Sequence, residues 1–163
     1  MSASTTSSSL SRARRRPIAS DDVDGVVRLA YTAIPPNTPP RPYVTLELRG
    51  PNSSPFTLIG LLDTGADFST LPLDVAIDLG FRTAALRPTA VHHATGSAIL
   101  QRADEPITAR LAGMAIEFLL DPMYAPVPGE EPRDVLWGRR DFLRHWDLWL
   151  SESSERFDLN WRP

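Results

Sequence analysis

Sixteen prolines and nine glycines punctuate the 163 residues so evenly that no apolar run is long enough for more than a strand or a short helix. A chain cut this way must build its core by pairing short strands. Residues 26–34 partly alternate between Gly25 and Pro35 and predict an opening strand. Residues 35–42 hold five prolines in eight positions, which predicts an extended polyproline-like connector. Residues 43–49 alternate again, 50–55 form a turn cluster, and 56–62 return as a second strand. After a continuing strand at 67–71, residues 72–80 place a first-turn proline, then Leu73, Val75, Ala76 and Leu79 at helical spacing, then Gly80 as a stop. Residues 89–94 and 98–102 predict a hairpin around Thr95, Gly96 and Ser97, and 107–111 with 115–120 a further one. A Pro/Gly-rich loop is expected over 121–132, a buried strand over 135–137, a short helix over 140–146 and a terminal hairpin from 148–150 and 157–161. Trp137, Trp146, Trp149 and Trp161 all fall in this last stretch, where either core packing or a subunit interface would explain them.

The strand at 56–62 runs straight into Asp63-Thr64-Gly65-Ala66-Asp67. A carboxylate becomes a catalytic base when hydrogen bonds fix it, little water surrounds it, and a second titratable group nearby splits the proton affinities. A turn of this composition can meet the first two conditions. Thr64 brings a hydroxyl, and Gly65 brings an unhindered N–H and lets the chain bend where a side chain would block a substrate.

About seventy-five residues further on stands Val135-Leu136-Trp137-Gly138-Arg139-Arg140-Asp141-Phe142-Leu143, two hydrophobic residues, a Gly and an Arg before a predicted helix. Together with Asp63-Thr64-Gly65-Ala66-Asp67, this order resembles the retropepsin-like aspartic peptidases, single-lobe relatives of retroviral proteases. The resemblance covers residues 21–163, although only the two motifs are specific. It implies a mainly β, closed barrel or sandwich of short strands with a flap hairpin and one or two short helices. It makes Asp63 the catalytic residue, Thr64, Gly65 and Ala66 the loop that sets its geometry, and Thr95, Gly96 and Ser97 the tip of a flap that closes over bound peptide. It also implies an ion pair between Asp67 and Arg139, expected to be partly buried and to brace the loop from behind. Retroviral flaps are richer in glycine than this tip.

Length and composition agree with one such domain. The chain is long enough to bury a sizeable core but offers one catalytic lobe, not two. Without cysteine there is no disulfide framework, thiol nucleophile or Cys-based zinc site, which slightly favours a cytoplasmic location. No segment has the apolar length of a membrane span, and the start lacks the apolar core of a secretory signal. Residues 1–20 carry Arg12, Arg14, Arg15 and Arg16 with no acid, so the net charge of −3 leaves about −7 on the remainder. That Ser/Arg-rich tail has too little apolar content to pack and is expected to be disordered; without aromatic partners it predicts no specific nucleic-acid contact. Asp21, Asp22 and Asp24 lack the spacing of a calcium loop. His92 and His93 point to opposite faces of a strand, and His145 lies at no convincing spacing from them, so no metal site is expected. No nucleophile-elbow serine and no Gly-rich phosphate loop is present.

A single Asp-Thr-Gly turn supplies one carboxylate, whereas the chemistry needs a pair sharing a proton. Two copies of Asp63 across a two-fold axis would complete it. The expectation is therefore a homodimeric endopeptidase acting on extended protein or peptide segments, without cofactor, nucleic acid or membrane. The alternative is a non-catalytic dimerising or peptide-binding module of the same fold. A third possibility has the 35–42 segment or the basic tail occupying the cleft until self-cleavage removes it.

Overall fold

The computed structural model describes residues 25–34, 38–93, 96–126 and 135–162. The basic tail at 1–20, the acidic Asp21, Asp22 and Asp24, part of the proline connector, Thr95 at the expected flap tip and residues 127–132 of the expected loop lie outside the described residues.

The order of elements follows the Pro/Gly punctuation. Strands β1 (Val26–Ala30), β2 (Tyr43–Arg49), β3 (Phe56–Leu62) and β4 (Thr70–Pro72) lead into helix α1 (Leu73–Asp78). Then come β5 (Arg87–His93), β6 (Gly96–Arg102), β7 (Ile107–Leu111), β8 (Glu117–Leu120), β9 (Met123–Ala125) and β10 (Leu136–Trp137). Strands β11 (Trp146–Ser151) and β12 (Arg156–Trp161) end the chain. Helix α1 begins where Pro72 forbids further strand pairing and stops at Gly80, whose φ of 86° is left-handed and available to glycine at little cost.

Nine strands form one curled sheet in the order β5-β6-β9-β4-β10-β3-β2-β7-β8, and β1-β12-β11 form a second, three-stranded sheet. Most neighbours are antiparallel, but β10 runs parallel to β3, and β4 parallel to β9. The protein is thus mainly β, as expected. The expected closed barrel is instead a half-barrel, because β5 and β8 stand at opposite edges of the sheet order. Among the described residues the β5–β6 hairpin joins the sheet only through Gln101 and Arg102 of β6, paired with Tyr124 and Met123, so its outer half has no described strand beside it to close the ring.

Inward-facing residues alternate strictly where a strand has one solvated face. In β2, Val44, Leu46 and Leu48 are fully buried, and Ile107, Ala109 and Leu111 repeat the pattern in β7. The largest core side chain, Trp137, is completely buried and donates its indole N–H to the Val44 carbonyl at 2.9 Å. It lies against the bare backbone of Gly60, where an added Cβ would stand 2.7 Å from the indole ring and 2.6 Å from Val135 Cγ1. Phe142 and Trp146 extend this cluster, and Trp146 meets Trp161 edge-on at 5.1 Å. Three of the four tryptophans thus pack in or against the core, whereas Trp149 is exposed.

Two further expectations are corrected. The segment after Trp137 is no α-helix over 140–146 but two turns and a short 3-10 stretch, Leu143–His145. Trp146 belongs to β11, where it pairs with Trp161, and that pairing claims the backbone a helix would have used. Within the expected 121–132 loop, Met123–Ala125 is a buried strand between β4 and β6. A three-residue strand flanked by Pro122 and Pro126 and buried on both faces shows no alternation, so its pattern is that of a loop.

Candidate functional site

Asp63 stands at the first position past β3, where the parallel pairing of β3 and β10 ends and the two chains part. The main chain is held on both sides of it: Leu61 N–H donates to the Val135 carbonyl at 2.7 Å, and Asp63 N–H to the Trp137 carbonyl at 3.0 Å. Its carboxylate Oδ1 accepts the Gly65 N–H at 2.8 Å, which fixes its orientation from within its own turn. A Cβ on Gly65 would lie 3.2 Å from that oxygen, so glycine keeps the approach open. Asp63 and Ala66 are half-buried, while Thr64 and Gly65 are exposed.

Two further bonds tie this loop to the turn after β10. Arg139 N–H donates to the Ala66 carbonyl at 3.0 Å, and Arg140 N–H to the Asp67 carbonyl at 2.8 Å. Side chains follow the same path. Arg139 donates to Asp67 Oδ1, Arg140 lies 3.6 Å from Asp67 Oδ2, and the Arg140 guanidinium rests over the Phe68 ring at 5.5 Å. The Arg139 hydrogen bond holds the Asp67 carboxyl below its ordinary range, helped by the charge of Arg140. The pair is not partly buried as expected: the two side chains are 58% and 44% exposed, so water screens them and little stability follows.

The buried link is elsewhere, at two residues to which sequence reasoning assigned no role. Ser69 is fully buried and Asp141 is 4% exposed. Asp141 Oδ1 accepts three hydrogen bonds, from Ser69 N–H at 2.9 Å, the Ser69 hydroxyl at 3.0 Å and Phe142 N–H at 3.0 Å. The Ser69 hydroxyl oxygen in turn accepts the Gly138 N–H at 3.0 Å. Burial pushes the Asp141 carboxyl up to about 6, with the Ser69 and Phe142 hydrogen bonds pulling the other way. The available signal was an acid set directly before the apolar Phe142 and Leu143. Gly138 is required here for space alone, since a Cβ would come within 2.3 Å of the Phe68 carbonyl carbon.

The expected flap corresponds to the β5–β6 hairpin, with Gly96 opposite His93 and Ser97 opposite His92. Phe68, two residues past Ala66, packs with Val91, Ala98, Leu100, Met123 and Ala125 in a small apolar cluster. The middle of the hairpin and the loop of Asp63 therefore share one set of contacts. Ile99, between Ala98 and Leu100 on the opposite face of the hairpin, is exposed. His92 and His145 belong to different elements, and among the described residues no three His, Asp or Glu side chains gather as metal ligands. His145 instead stacks on Trp161 at 5.7 Å, and burial lowers its pKa.

Among the described residues, clefts lie beside Arg28 and Asp158, beside Phe68 and Asp141, and beside Arg87 and Asp104, and Asp63 does not line these. One, of about 220 Å³, lies between Phe68, Leu119, Asp121, Arg140, Asp141 and Arg144. In this single chain Asp63 is half-buried beside the exposed Thr64 and Gly65. No helix among the described residues is long and apolar enough to cross a membrane. Compared with models of known protein families and with curated proteins, the sequence matches none.

Proposed function

We propose that this protein is an aspartic endopeptidase of the retropepsin type, working as a symmetric homodimer in which the two Asp63 carboxylates activate one water. The observation that carries the reading is the placement of Asp63: a carboxylate at the mouth of two parallel strands, oriented by the Gly65 N–H and held by backbone bonds to the β10 turn. Each constraint removes freedom that a reacting group would otherwise lose on the way to the transition state. The exposure of Thr64 and Gly65 supports the dimer, because a lone chain neither supplies a second acid nor excludes water from the first.

In that dimer the two acids would share one proton, since like charges about 3 Å apart do not both ionise. The ionised member takes a proton from the attacking water as the water oxygen bonds to the scissile carbonyl carbon. The protonated member donates to the carbonyl oxygen, and the proton gained by the first passes to the departing amine as the C–N bond breaks. The β5–β6 hairpin, in contact with Phe68, is the element placed to cover an extended peptide. Among the described residues its edge strand β5 pairs only with β6, which leaves one edge for such a segment.

The test is to incubate the purified protein, and an Asp63→Asn variant, with a diverse peptide mixture across a range of pH and to identify products by mass spectrometry. Cleavage by the parent and none by the folded variant is the expected outcome. Cleavage of equal extent by both removes Asp63 from the mechanism, and cleavage by neither favours the non-catalytic peptide-binding reading.

A further inference from the structure

Asp141 is the one buried carboxylate among the described residues, and its two oxygens are treated unequally. Oδ1 takes all three donors, while Oδ2 is buried with no hydrogen-bond partner among the described residues. Through Ser69 this carboxyl holds the end of the loop that carries Asp63, and through Phe142 and the Ser69 hydroxyl bonded to Gly138 it holds the turn after β10. It is the only buried charged side chain of the described residues, and it lies where the two loops of the site are joined.

We propose that Asp141 is a positioning residue whose protonation at Oδ2 locks the loop of Asp63 against the β10 turn, so that the loop is tightest in acid and loosens as Asp141 ionises.

An ionised Asp141 keeps its three donors but leaves a buried negative oxygen with nothing to pair with, and opening the loop hydrates that charge. A protonated Asp141 carries no such penalty and retains Oδ1 as the acceptor for all three bonds. The charged groups around it do not cancel the effect. Arg140 and Arg144, on its own turn, share its cleft but point their charges into water, and Arg140 is engaged with Asp67 and Phe68. Asp121, from the segment after β8, lines the same cleft and is held by Arg102. His145, on the 3-10 stretch that follows, is bonded to the Leu119 carbonyl, and burial lowers its pKa.

The sign follows from linkage. Burial raises the folded-state pKa of Asp141 from 3.8 to about 6, so its contribution to stability is complete below the unfolded value and declines as pH rises toward the folded value. Across that window the folded state, relative to one with a non-titrating residue at 141, should weaken by on the order of a hundred-fold in its equilibrium constant.

This inference concerns the loop's order, and only its catalytic consequence rests on the peptidase reading. Its test therefore uses no substrate. Carbon-13 NMR of the full chain should find one carboxyl, assigned to Asp141, titrating above pH 5, and Ser69→Ala, which removes a donor, should move that titration higher. The protection of the Gly65 amide against hydrogen exchange should fall through the same pH range in the parent and stay level in Asp141→Asn. A carboxyl at 141 that titrates near 4 overturns the proposal. So does a Gly65 protection profile that is the same in parent and variant. If Asp141→Asn does not fold, the titration and the Ser69→Ala shift still decide.

Discussion

At the scale of single residues, the site is built by what is small or buried, more than by what is charged. Gly138 shows this most clearly. Its Cα lies so close to the Phe68 carbonyl and the Ser69 N–H that a methyl group would sit 2.3–2.7 Å from backbone atoms, which do not yield as a flexible side chain does. Gly138→Ala should therefore push the two loops apart and cost about 3 kcal/mol, at the upper end for overpacking, measured by denaturant unfolding. A loss below 0.5 kcal/mol, about that of an ordinary surface substitution, would mean the loops are looser than drawn. The Arg139–Asp67 pair, far more visible in the sequence, contributes less because both side chains stand in water. Asp141 carries the opposite lesson: an acid to which the motif around it assigned no role joins both loops.

Elements divide into a rigid set and a loosely held one. Strands β2 and β3 are paired over six positions and flanked by β7 and β10, with their apolar faces in the main core. The β5–β6 hairpin is paired internally but attached to the sheet at only two residues, and its side contacts come from the small cluster around Leu100, Met123 and Phe68. Low-stability elements of this kind open first. Phe68→Ala should cost about 2 kcal/mol, less than a fully buried phenylalanine because Phe68 is only partly covered. Amide exchange in β5 and β6 should accelerate, while β2 and β7 remain protected. Uniform acceleration across all strands would show that Phe68 supports the whole core and not the hairpin.

For the whole molecule, an open half-barrel with the half-buried Asp63 beside exposed Thr64 and Gly65 makes the dimer the unit on which the proposed chemistry depends. Specific activity of the parent should fall when the protein is diluted through its dissociation constant, with sedimentation showing monomer over the same range. Full activity from a monodisperse monomer would exclude a shared pair of Asp63 carboxylates. Much of the architecture was legible beforehand. Pro and Gly spacing marked β2 and β3 to the residue, the helix after Pro72 and the hairpin around Gly96, because turns and alternation are local properties of the chain. The Asp-Thr-Gly turn was equally local, and so was its position at the end of a strand. The sequence by itself thus determined a mainly β chain with one carboxylate in a tight turn. What only the tertiary structure decided were quantities set by distant neighbours: the burial of β9 between β4 and β6, the loss of the expected helix to the Trp146–Trp161 pairing, the failure of the sheet to close, and the union of Ser69 with Asp141. Each depends on which surfaces are left dry after the chain has collapsed, and dryness is not encoded at any one position.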